Sequence, residues 1–338
     1  MVQDQRRRKR ATSSDVAAHA GVSRTTVSLV VNRQDKSISK STRDRVKRSI
    51  EILEYIPDAN AKSLRSHHTD IVLMSIPNYH DADVAVRFVT KFRQELEKYN
   101  LRLIIDADMN SLPAESVRRW CSYRPRVVFA PSSICGKESA DLLRREGVMG
   151  ILLMSDKPVR YASSLVMSQG VGEVAARFLI EKKGHRRIAY LAPPNSNSYD
   201  FADTKYHEFM RISTKFGATT EKINFDLTKG EIVKIVQNWI LEGSLPSAIY
   251  AYNDNYAIAL ISVLSKCGVR VPEDIDVVGT DNTDLGSILE LTTVFLDIEK
   301  LAKRAAYSVV RLAAGKSLSS KRSRNDLVAE LVERKTTI

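Results

Sequence analysis

Cysteine is scarce in this chain of 338 residues: Cys121, Cys135 and Cys267 are odd in number and widely separated. No Cys-x-x-Cys pair and no disulfide ladder can be built from them, so a reducing, cytosolic compartment is expected. Long apolar runs are missing too. The strongest, Val148–Met154, falls far short of the roughly 20 residues that span a bilayer. The N-terminus is charged with no apolar stretch behind it, so no secretory leader and no membrane partner are predicted. A Gly-x-Ser-x-Gly elbow, a P-loop and a His-Glu-x-x-His pair are all absent, so no catalytic set is visible. His67-His68 has no cysteine or carboxylate at ligand spacing, and neither a metal nor a cofactor is expected.

What is present is charge of one sign, unevenly spread. The formal net charge is +12; Met1–Ser66 holds 15 Lys/Arg against 7 Asp/Glu, which is +8, and the rest of the chain carries the other +4. A basic head on a nearly balanced body points to a polyanion partner for the head. Arg6-Arg7-Arg8-Lys9-Arg10 either adds phosphate contacts or remains a solvated tail.

Within that head, Ser14–Asn32 reads as two short helices joined by a tight turn. Ser14 or Ser13 is the expected N-cap of the first, Gly21 supplies the turn, and Ser23 caps the second. Val16, Ala20, Val22, Val27 and Val30 can close an apolar seam. That leaves Arg24, Thr25, Ser28 and Leu29 facing outward. The pattern is either an ordinary helical hairpin or a helix-turn-helix with its second helix in the DNA major groove, and the basic charge favours the second. Ser41-Thr42-Arg43-Asp44 resembles a capping box, with Ser39 as the competing cap, and Val46, Ile50 and Leu53 follow at helical spacing. Pro57 ends this third helix. Asp58–Arg65 is too short to hold a helix alone in water, and its one large apolar side chain, Leu64, stands among Lys62, Ser63 and Arg65.

From Asp70 onward, strand and helix patterns alternate. Strands are expected at Ile71–Ile76, Leu101–Ala107, Val127–Ala130, Ile151–Met154, Ile188–Ala192, Ala248–Ala251, Asp276–Gly279, Thr292–Leu296 and Leu327–Val332. Helical stretches lie between them. Such alternation implies parallel sheets with helices on both faces, and the length exceeds one comfortable core, so two lobes are expected. The cleft at the carboxyl ends of the strands is the default ligand site.

The head motifs, Asp15-Val16-Ala17, Ala20-Gly21-Val22-Ser23, Thr26-Val27-Ser28, Val31-Asn32, Thr42-Arg43 with Val46, and Ala61 with Leu64, resemble those of the lactose-repressor (LacI/GalR) family of bacterial transcription regulators. Gly184-His185-Arg186-Arg187-Ile188-Ala189, Asn253-Asp254, Val277-Val278-Gly279 and Glu330–Arg334 extend the resemblance over nearly the whole chain. It implies a small all-α helix-turn-helix head at 1–57, a hinge at 58–68, and an α/β body of two parallel-sheet lobes at 69–338, similar to periplasmic binding proteins. The implied lobes are 69–168 with 298–323, and 169–297 with 324–338. The implied function is a repressor, a homodimer on palindromic operator DNA, controlled by a small polar effector such as a sugar in the cleft.

The same resemblance assigns base reading to Arg24, Thr25 and Leu29, and phosphate or positioning contacts to Thr12, Ser23, Thr26, Ser28 and Asn32. Arg24 reaches guanine with two bonds or contacts a phosphate; Leu29 touches a thymine methyl or packs. Ala61, Lys62, Leu64 and Arg65 form the implied minor-groove hinge, with Leu64 either a wedge at a base step or a core leucine. Tyr79, Ser168, Lys205, Asn253 and Asp281 are the implied effector contacts. The pocket departs from the family at several positions: Asn78-Tyr79 lacks the usual aromatic pair, Ser168-Gln169 replaces Asp-Asn, and Lys205 stands where the family has an Arg, losing a planar two-pronged donor. Two rivals remain: a periplasmic-type binding protein, against which the basic head and missing leader count, and an enzyme on the α/β body, which no catalytic constellation supports.

Overall fold

Thr12, not Ser13 or Ser14, starts the first helix, α1 (Ser13–Ala20). The Asp15 amide donates to Thr12 Oγ1 at 3.3 Å, and the Thr12 amide donates to Asp15 Oδ2 at 2.8 Å. Thr12 wins because a carboxylate stands three residues on and closes a reciprocal capping box; neither serine has one there. Gly21, at φ +61, ends α1 and turns the chain into α2 (Arg24–Val31). Ser23 Oγ accepts from the Thr26 amide at 3.1 Å, as expected. Ser39 caps α3 (Lys40–Ile52), so the expected box at Ser41 lies inside the helix. Val16, Val27 and Val46 are essentially inaccessible, and Val22, Ile50 and Leu53 pack around them.

This computed structural model describes residues 10–31, 35, 37–56, 69–76, 82–108, 111–155, 157–166, 170–194, 201–227, 230–318 and 327–337. The chain divides into two compact units, Met1–Thr69 and Asp70–Ile338.

The second unit holds two sheets. The first contains β1 (Ile71–Ser75), β2 (Arg102–Asp106), β3 (Val127–Pro131), β4 (Gly150–Ser155) and β5 (Ser163–Val166), all parallel, in the order β2-β1-β3-β4-β5. The second contains β6 (Arg187–Ala192), β7 (Thr219–Asn224), β8 (Ala248–Ala251), β9 (Asp276–Thr280), β10 (Thr292–Phe295) and β11 (Glu330–Val332), in the order β7-β6-β8-β9-β10-β11. Only β11 runs antiparallel there. The inner strands β3, β4, β8 and β9 are buried at every residue, as parallel strands covered by helices on both faces must be. Strand order reverses between β1 and β3 and again between β6 and β8. The crevice outside the carboxyl ends at such a reversal is where open α/β sheets hold ligands.

Helices α4 (Ala82–Glu97), α5 (Pro113–Ser122) and α6 (Lys137–Arg145) connect the first sheet. The chain then passes into the second lobe with α7 (Val171–Ala176, continued as a π-helix over Arg177–Lys182), followed by α8 (Phe201–Lys215), α9 (Glu231–Leu241), α10 (Asp254–Lys266) and α11 (Asp284–Ile288). It returns as α12 (Ile298–Ala313), which joins the core of the first sheet through Leu301, Ala305 and Val309, and crosses again to β11. The last residues are tied beneath β9 and β10: Thr336 Oγ1 donates to the Val277 carbonyl at 2.7 Å and accepts from the Thr292 amide at 2.9 Å.

Candidate functional site

On the head, the seam and the open face are separated by helical periodicity. Val27 and Val30 point into the core; Arg24, Thr25 and Ser28 are exposed on the opposite side of α2, with Leu29 half-buried between the two. Thr12 Oγ1 is engaged with Asp15, and Ser23 Oγ lies 2.9 Å from Thr26 Oγ1, so these hydroxyls set the starts of α1 and α2. His19 Nδ1 lies 3.0 Å from Ser49 Oγ and fixes α1 on α3. The arrangement presents one guanidinium, one hydroxyl-bearing surface and one apolar edge from a helix that the other two hold rigid. A helix so presented can enter a groove and contact base edges.

In the body, three of the implied effector residues come together at the carboxyl ends of β8 and β9. Lys205, on α8, is buried; its Nζ donates to the Tyr252 carbonyl at 2.9 Å, sits 4.5 Å from the centre of the Tyr252 ring and lies 3.8 Å from Asp281 Oδ1. Asn253 is fully buried. Its Oδ1 caps α10 by accepting from the Tyr256 amide at 3.0 Å, while its Nδ2 has no hydrogen-bond partner. Asp281 and Asn282 follow β9 with φ of +103 and +50, backbone values that are held only where surroundings over-determine them. The Asp281 amide donates to Val294 O at 2.9 Å, and Arg334 Nη2 donates to Asn282 Oδ1 at 2.7 Å.

Behind this cluster lies Asp254, fully buried. Its Oδ2 accepts from the Thr283 amide at 2.7 Å and the Thr283 hydroxyl at 3.0 Å, and its Oδ1 from the Thr293 hydroxyl at 2.7 Å. One carboxylate thus ties the loops after β8 and β9 to β10. The motif Asn253-Asp254 marks the pair, but nothing local in the sequence separates the capping residue from the anchor. Ser155, at the carboxyl end of β4, is a second buried group with an unpartnered oxygen; an apolar run closing on a serine is its only signal. Ser155 and Asn253 supply unsatisfied polar atoms at the carboxyl ends of the two sheets, which a polar ligand could satisfy.

Asn32, the hinge residues Ala61, Lys62, Leu64 and Arg65, and the pocket residues Tyr79 and Ser168 lie outside the described residues. Among the described residues, no group of three His, Cys, Asp or Glu is placed to hold a metal, and no helix is long and apolar enough to cross a membrane.

Two family models match the chain: bacterial regulatory proteins of the lacI family over residues 12–58, and a periplasmic binding protein-like domain over residues 176–337. Together they span more than half of it. The chain is 28% identical over 309 residues to the transcriptional repressor PurR of Photobacterium profundum, covering 87% of this chain and 90% of that protein. It is 28% identical over 317 residues to the transcriptional regulator GalS of Salmonella typhimurium, covering 90% of each. A crystal structure of the Lac repressor dimer bound to operator and the anti-inducer ONPF superposes with a TM-score of 0.76 at 24% identity, over 98% of this chain and all of that one.

Proposed function

Since the chain belongs to the LacI family of bacterial regulatory proteins, we propose that it represses transcription as a homodimer on a palindromic operator, under control of a small polar effector held between the lobes of its body. The observation that carries this reading is the face of α2: Arg24, Thr25 and Ser28 exposed and Leu29 at its edge, on a helix whose other side is locked into the head core. Arg24 reads a guanine through O6 and N7, Leu29 meets a thymine methyl, and Ser23, Thr26, Ser28, Thr12 and Asn32 set register on phosphates. Two heads from one dimer give the operator its two-fold symmetry.

The effector reading rests on Lys205, Asn253 and Asp281 meeting at the carboxyl ends of β8 and β9, beside the strand-order reversal at β6 and β8, and on the unpartnered Asn253 Nδ2. A hydroxylated metabolite, a sugar or a relative of one, offers the donors and acceptors such a site can use. The family resemblance implies Tyr79 and Ser168 as further contacts to the same effector. The three cysteines are free thiols, which agrees with a cytoplasmic protein. All the relatives named above are transcription regulators, and catalysis is not part of this reading.

Selection from a pool of random duplexes tests the function. Enrichment of a palindrome with half-sites about one helical turn apart, or a multiple of it, is expected. Recovery of no motif, or of a single asymmetric site, overturns the reading.

A further inference from the structure

Two side chains on α8, Glu208 and Arg211, face α7, and the Lys205 carbonyl lies beside Gly172 one turn before Glu208. The Glu208 carboxylate accepts from the Gly170 amide through Oε1 and from the Gly172 amide through Oε2, each at 3.0 Å. Gly170 is the N-cap of α7 and has no side chain to satisfy the free amides of that helix start. The cap is therefore supplied from a neighbouring helix, by a charge-assisted pair of bonds. Gly172 makes the approach possible, because a Cβ there would sit 2.0 Å from the Lys205 carbonyl oxygen. The next residue, Glu173, pairs with Arg211 and extends the same contact by one turn.

This contact has two ends. α7 is the first element after the chain leaves the first sheet at β5. Lys205, one turn of α8 before Glu208, is held by the Tyr252 carbonyl and Asp281 at the carboxyl ends of β8 and β9. A single turn of α8 therefore spans from the candidate effector site to the start of the second lobe. We propose that Glu208 is a positioning residue that couples the Lys205–Asp281 pair to the passage between the lobes, by holding the start of α7 on α8. Its regulatory meaning rests on the effector reading of that pair; the coupling itself does not. Coupling requires one element that both ends bias, here the docked or released start of α7.

Hydrogen exchange on the full chain, read by mass spectrometry on peptides covering 168–176, tests this with no effector added. Asp281→Asn is near-isosteric, tolerates the positive φ at that position, and removes the charge that faces Lys205. It should speed exchange at the start of α7 by about tenfold, the scale of one lost net hydrogen bond. Glu208→Gln opposes an amide donor to an amide donor and should speed exchange by a similar factor. In the Glu208→Gln background, Asp281→Asn should add nothing. Unchanged exchange in Asp281→Asn overturns the proposal and leaves Glu208 a local cap. So does an undiminished Asp281→Asn effect without the Glu208 carboxylate. The first comparison stands even where Glu208→Gln fails to fold, and no outcome bears on whether the site takes an effector.

Discussion

Arg24 and Asp254 show two opposite uses of a charged side chain. Arg24 is exposed on α2 and contributes little to the fold, so its removal should be felt only on DNA. Arg24→Ala is expected to weaken binding to the preferred duplex by roughly 1–3 kcal/mol and to relax discrimination at one base pair per half-site, with the melting temperature unchanged. Competition titrations with single-base variants of the operator check both. A uniform loss across all sequences would identify a phosphate contact instead. Asp254 is buried and answers three donors, from Thr283 and Thr293. Asp254→Ala should destabilise the body by ~2 kcal/mol or more, because each donor is left unsatisfied away from water. Denaturant unfolding measures it, and the loss should appear without any change in the isolated DNA contacts of the head.

At the scale of elements, the ends of the chain's helices and the edges of its sheets carry the lessons. The inner strands β1, β3, β4, β6 and β8 were legible, because four or five consecutive apolar residues allow little else in an α/β pattern. The edge strands β5 and β7 were not: Ser163-Ser164 and Thr219-Thr220-Glu221-Lys222 are half-buried or exposed, and an edge needs no apolar run. The cap of α1 moved to Thr12 because capping depends on the residue three positions on, not on the hydroxyl alone. In the candidate effector site, the family resemblance pointed to Lys205, Asn253 and Asp281, which lie close together. Glu208 belongs to no motif, and its role exists only where α7 and α8 meet.

The C-terminal strand is pinned by Glu333, whose carboxyl is held below the usual glutamate range by hydrogen bonds from Lys182 and then Lys183. A depressed folded pKa contributes stability above the ordinary glutamate value that is lost as pH falls through the lowered one. Glu333→Gln should therefore lower the melting temperature slightly at neutral pH, and the difference from wild type should close as the solution is acidified. A difference that widens on acidification contradicts the assignment. Unstacking a base step takes a few kcal/mol and is offset by the contacts that a bent duplex gains. Leu64→Ala should reduce DNA bending and operator affinity while leaving non-specific binding nearly intact. Circular-permutation gel shifts report the bend, and an unchanged bend with unchanged affinity returns Leu64 to a packing role.

At the scale of the whole molecule, charge and fold divide the work. Most of the basic excess sits in the first 66 residues, ahead of a body of near-balanced charge. The body repeats one topology twice, with a strand-order reversal in each sheet, and the chain passes between its lobes three times. A ligand can shift such a body between two states only through different affinities for them. Alternation and length predicted parallel sheets in two lobes, while the three passages between the lobes followed only from the family resemblance. The identity of the effector was not legible, because the residues that would choose it depart from the family's pattern.

The claim on which the rest depends is that the head reads DNA by sequence and holds it by charge. Fluorescence anisotropy of the full chain, titrated against the duplex flanking its own coding region and against a shuffled duplex at two salt concentrations, tests both halves at once. The flanking duplex should bind more tightly at either salt, and if about six phosphates are neutralised both affinities should fall roughly a thousandfold between ~50 and ~200 mM salt. Equal binding of the two duplexes, or an affinity that salt does not change, would contradict it.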